Sequence, residues 1–143
     1  MSLSAKTFTN LRKIARATGS ELDHVRFFEV VLFHAAEALG AARVVILLEP
    51  QPGQIVCGEH PQGAASTESD LLILRRLLRE VKREREVRIV PCDGGAWIAS
   101  PLARNGIVIG CLSAMIAEEL DDEMVGTLEV VAAMLLGWIF RES

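Results

Sequence analysis

The chain has no surplus of positive charge. Its 15 lysines and arginines are outnumbered by 19 aspartates and glutamates, for a net charge of −4. A nucleic-acid binder draws its affinity from phosphate neutralisation, so this balance argues against a nucleic-acid partner. Cysteine is scarce: Cys57, Cys92 and Cys111 are three, an odd number without framework spacing, and read as free thiols in a reducing, cytoplasmic compartment. The first twenty residues lack the apolar core of a secretory signal, because Lys6, Arg12, Lys13 and Arg16 are spread through them. No apolar run reaches bilayer length. The longest, Val130 to Phe140, is bracketed by Glu129 and Arg141, so no membrane segment is expected. There is no internal repeat, no low-complexity tract and no glycine-rich phosphate loop, since Gly94-Gly95 alone is too weak a signal.

What is present is a globular composition, half hydrophobic and 24% charged, over 143 residues, which fits one domain. The organising stretch is Ala96 to Met115. Asn105-Gly106 lies between two apolar runs, and both residues tolerate the positive φ that a type I′ hairpin turn requires. Ile107 to Ile116 carries no charge, so the strand it forms should be covered on both faces and sit centrally in a sheet.

Around it the elements follow in order. Thr7 to Ala17 is a short helix with Phe8, Leu11, Ile14 and Ala15 on one side. Ser20 and Asp23 resemble a capping box before a helix from Glu21 to Leu39, which stops at Gly40. Its apolar residues exceed one stripe, so it should touch a second surface. Arg43 to Glu49 is a buried strand, Pro50 to Gly53 a turn, and Gln54 to Glu59 the returning strand. Thr67 or Ser69 caps a helix from Asp70 to Arg85 whose inward stripe is Leu71, Leu74, Leu78 and Val81. Glu86 to Pro91 is a short strand. Acidic residues from Glu118 to Glu123 open a final helix, Asp122 to Arg141, apolar nearly all round. The fold class is α+β, with a five- or six-stranded antiparallel sheet, the terminal helices on one face and a helix plus loops on the other.

The helix end Ala38-Leu39-Gly40-Ala41, the strand Val44 to Glu49 and the hairpin Ser100-Pro101-Leu102…Asn105-Gly106-Ile107-Val108-Ile109-Gly110-Cys111-Leu112 together resemble a GAF domain. The resemblance covers roughly residues 20 to 141 and makes 1–19 a helical lead-in to a single domain over 20–143. It implies a non-catalytic sensory or regulatory module, often dimeric, attached to kinases, cyclases or transcription activators of bacterial type. One departure stands out. The segment before the Pro-Leu strand is usually long and helps close the family's ligand pocket, whereas here only Cys92 to Gly95 separates Pro91 from Ala96. The pocket is therefore small, open or gone.

A GAF-like enzyme reduces free methionine sulfoxide with cysteines, and Cys92-Asp93 lies in a comparable region, although the flanking residues match poorly. Thiol-dependent reduction is thus the alternative to a sensor, and a dimerisation module with a vestigial pocket is the third reading. Cys57-x-x-His60 offers two metal ligands where structural zinc needs four, so no metal is expected. The Cys-His pair that anchors bilins and the Asn-Lys…Phe…Asp-Glu pattern of cyclic-nucleotide binders are both missing. The arginines of the third helix interleave with Glu80 and Glu84 and read as a solvated face. For a small-molecule pocket the expected polar lining is Cys57, His60, Arg75, Ser100, Cys111 and Ser113, with Cys92 beside it. Alternation puts Ile109, Cys111, Ser113 and Met115 on the pocket face, and Val108, Gly110, Leu112 and Ala114 toward the terminal helices. The last helix carries a third apolar face of small residues, Gly126, Val130, Ala133 and Gly137. A homodimer through Glu21–Leu39 and Asp122–Arg141 is expected from it.

Overall fold

The computed structural model describes residues 5–18, 24–51, 53–61, 63, 67–92 and 94–141. Its elements are α1 (Ala5–Thr18), α2 (His24–Leu39), β1 (Arg43–Gln51), β2 (Gln54–His60), α3 (Glu68–Glu84), β3 (Arg88–Cys92), β4 (Gly95–Arg104), β5 (Ile107–Ile116) and α4 (Asp122–Arg141). The expected Ser20–Asp23 capping box lies outside the described residues.

The uncharged strand β5 is the middle one of five in the order β2-β1-β5-β4-β3, every pair antiparallel. Asn105 (φ 54°) and Gly106 (φ 80°) form the left-handed turn into it. At Gly110 a side chain has no room, because a Cβ there would lie 2.1 Å from the Leu47 carbonyl oxygen. One residue earlier the β4–β5 ladder slips: Leu102 pairs with Gly110 but Ala103 with Val108. Ile109 is the extra residue of a β-bulge, which reverses the alternation below it. Strict alternation therefore holds from Gly110 onward but not before it. Val108 packs on the α3 side with Cys111, while Ile109 packs with Leu112 toward the terminal helices.

On one face α1, α2 and α4 share a single core with Ile46, Ile98, Leu112 and Ala114. Phe27 stacks on Trp138 at 3.8 Å between centroids. The second surface expected for α2 is supplied by α1, whose Leu11, Ile14 and Ala17 are buried. Phe8 and Ala15, expected inward, are exposed instead, and Thr7 and Asn10 are buried in their place. The two polar side chains are accommodated there because each has a backbone carbonyl to bond. Thr7 Oγ1 donates to the Ala38 carbonyl at 3.4 Å and Asn10 Nδ2 to that of Lys6 at 3.0 Å.

On the other face α3 lies directly on the sheet. Thr67 is its N-cap, accepting from the Asp70 amide, and Arg85 closes it in the left-handed region at φ 58°. The inward stripe is Leu74, Leu77, Leu78 and Val81. Leu71, expected inward, sits at the rim, and Leu77 replaces it because the helix meets the sheet with its second half.

Candidate functional site

The space between α3 and the sheet, where a pocket is expected, is filled. Trp97, Ala99 and Cys111 from the sheet meet Leu74, Leu77 and Val81 from α3, all fully buried. Burying Leu74, Leu77 and Val81 contributes roughly 1.5–3 kcal/mol each, so this interface is a second core. Cys111 Sγ and Ser113 Oγ lie inside it, 3.6 Å apart, and both residues are 0% exposed. Cys92 ends β3, half-buried at the edge of the same cluster.

The other expected lining residues do not converge. Ser100 pairs with Leu112 and shares its face, toward α4. His60 pairs with Val44 at the end of β2 and meets Phe33 of α2 edge-on at 5.5 Å, again on the terminal-helix side. Arg75 is exposed on the outer face of α3. Cys57 pairs with Leu47 through the backbone of β2, and its side chain lies outside the described residues. Arg76 pairs with Glu80 at 3.8 Å on the solvated face, as the interleaved charges suggest. Among the described residues no three His, Cys, Asp or Glu side chains lie close enough to hold a metal.

Sequence reading missed a polar cluster at the start of α3. Asp70 accepts from Thr67 Oγ1 at 2.6 Å and from Arg43 Nη1 at 2.5 Å, and the same guanidinium covers the Trp97 ring. The Trp97 indole N–H is buried and faces this carboxylate without closing a hydrogen bond. The Thr67 hydroxyl first, then Arg43, hold the Asp70 carboxyl below its ordinary range against the opposing effect of burial. Thr-x-x-Asp is a legible capping pattern, but nothing in the sequence ties it to Arg43.

With this geometry in hand, comparison with solved structures is decisive for the fold. The GAF domain of an Acinetobacter phosphoenolpyruvate-protein phosphotransferase superposes with a TM-score of 0.73 at 14% identity, covering 97% of this chain and 95% of that one. The fold is that of a GAF domain. The A. aeolicus nlh2 GAF domain in an inactive state matches at TM-score 0.69 and 14% identity, over 96% of this chain and 98% of that one. The free methionine-R-sulfoxide reductase of Neisseria meningitidis, in complex with its substrate, shares the GAF fold too, with TM-score 0.66, 18% identity, and 98% and 93% coverage. No protein-family model matches the sequence, and no curated protein matches it. No helix among the described residues is long and apolar enough to cross a membrane.

Proposed function

We propose that this GAF fold serves as a non-catalytic sensory or regulatory module of a cytoplasmic signalling or transcription-regulatory protein. The observation that carries this reading is the filled α3–sheet interface. Cys111 is sealed among leucines and a tryptophan, where a thiol packs as a small hydrophobe out of reach of a dissolved substrate. The terminal helices are the route of output, because α1, α2 and α4 share one core and a change at any of them repacks the others. The test is an assay of free methionine sulfoxide reduction with a thioredoxin system. No turnover is expected, and turnover that disappears in Cys92→Ser overturns the reading.

The module acts as a homodimer in this proposal. Val130 is 43% exposed on α4, in line with Ala133 and Gly137, and a Cβ at Gly126 or Gly137 would meet nothing within 4 Å. Such a strip lets a helix of a second copy approach closely. Two-fold, isologous pairing is the commonest arrangement for homodimers. Light scattering after size exclusion at low micromolar concentration should give the dimer mass, and Val130→Glu should give the monomer. A monomer mass for the unaltered chain overturns the proposal.

A further inference from the structure

A groove of about 520 Å³ opens on the terminal-helix side, walled by α4, β4 and the connection from α3 to β3. It lies on the opposite face of the sheet from the filled α3 interface. The volume falls within the roughly 300–1,000 Å³ typical of small-molecule sites. Its apolar wall includes Val87, Ala132 and Leu136.

Three polar groups line it without partners among the described residues. Ser100 is 3% exposed, and its hydroxyl makes no hydrogen bond there. Arg85, at one wall, is in no ion pair, although its neighbour Glu86 is engaged by Arg88 at 3.5 Å. Glu129, on α4, is likewise unpaired. The placement of Arg85 is itself unusual. It occupies the left-handed C-cap of α3, where glycine is the unstrained choice, and backbone strain of this kind clusters at ligand sites. Its guanidinium lies beside the β4–β5 turn, with Nη1 3.8 Å from where a Gly106 Cβ would be.

We infer that this groove binds a small zwitterion with an apolar body, an amino acid carrying a large apolar side chain. Arg85 presents a planar fork that matches a carboxylate. Glu129 supplies the counter-charge for an ammonium, and Ser100 offers a hydroxyl to either group. The apolar side chain of the ligand lies along Ala132, Leu136 and Val87. A simple anion would leave Glu129 facing it, and a simple cation would leave Arg85 facing it, so one ligand with both charges fits best. Occupancy would bridge α4 to the α3–β3 connection, and so bias the helix that the module uses for output. The inference rests on the non-catalytic reading for that consequence, yet the two fail separately: sulfoxide turnover overturns the first, and absent zwitterion binding overturns the second.

Calorimetry with L-leucine and L-phenylalanine, against N-acetyl-L-leucine and L-leucinamide, tests it. At least one amino acid should bind saturably, and the two blocked analogues about tenfold or more weakly, as expected for losing a charged hydrogen bond. In Arg85→Gln the preference for leucine over leucinamide should vanish, and in Glu129→Gln the preference over N-acetyl-leucine. Both side chains are exposed, and circular dichroism of each variant verifies the fold. No binding of either amino acid at millimolar concentration, or binding that both variants leave unchanged, overturns the inference.

Discussion

The guanidinium of Arg43 lies over the indole of Trp97, 5.0 Å from the ring centroid, while it pairs with Asp70 at the first turn of α3. One arginine at the start of β1 thus ties the third helix to the floor of its own interface. Asp70→Asn should cost about 1–2 kcal/mol, combining a lost charge-assisted bond with a weakened cap. The Asp70 carboxyl titrates lower when folded than when unfolded, so its contribution is present above the unfolded value of about 4 and is lost as pH falls. Urea titrations at neutral and acid pH should find the penalty of the variant large in the first and small in the second.

His34 joins α2 to α1, with Nδ1 2.9 Å from Asn10 Oδ1. The Asn10 amide group donates to the Lys6 carbonyl, which turns its oxygen toward the ring, and the ring therefore donates from Nδ1. Burial first and Lys13 second push the His34 pKa down, against Glu37. A histidine held neutral by the fold contributes stability above its unfolded value of 6.5, and that contribution fades as pH drops below it. Protection factors of the α1 amides, corrected for the intrinsic pH dependence of exchange, should fall from about pH 7.5 to 5.5, and His34→Ala should flatten that dependence.

Arg85→Gly relieves a left-handed arginine at the end of α3. Stability should rise by about 0.5–1 kcal/mol, the relief of strain exceeding the added freedom of the unfolded chain. The same variant should lose its affinity for leucine. A rise in the denaturation midpoint without loss of binding would separate the strain from the groove.

Two glycines should respond with opposite signs. Gly110→Ala drives a methyl group into the backbone of β1 at Leu47 and should cost about 3 kcal/mol or more. Gly137→Ala, placed in the monomeric Val130→Glu background where there is open space around it on α4, should add about 1 kcal/mol through helix propensity. Equilibrium denaturation of the two variants reads both.

The order and type of the elements were legible because each signal is local. Asn105-Gly106 supplies its own turn geometry, Gly40 its positive φ of 64°, and Asp121 its cap on Met124 at 2.8 Å. The central place of β5 was legible from the missing charge alone. The bulge at Ile109 was not, because it is a property of how β4 pairs with β5 and leaves no mark in either strand's own pattern. The site was hardly legible. Sequence grouped Ser100 with Cys111 and Ser113 by chemistry, whereas neighbouring strands place them on opposite faces of one sheet. Arg85 and Glu129 lie 44 positions apart and carry no motif, so only the fold brings them to one groove.

The chain holds two tryptophans and no tyrosine, and the sheet separates the two indoles. Trp97 belongs to the α3 layer beneath a guanidinium, and Trp138 to the terminal-helix layer against Phe27. Intrinsic emission is therefore a two-channel signal, one fluorophore per layer. With Trp97→Phe the remaining light reports only on the terminal helices, and with Trp138→Phe only on the α3 interface. Leucine added to the first variant should alter the spectrum while the second stays dark to it, which turns an ordinary fluorimeter into a map of which layer a ligand touches.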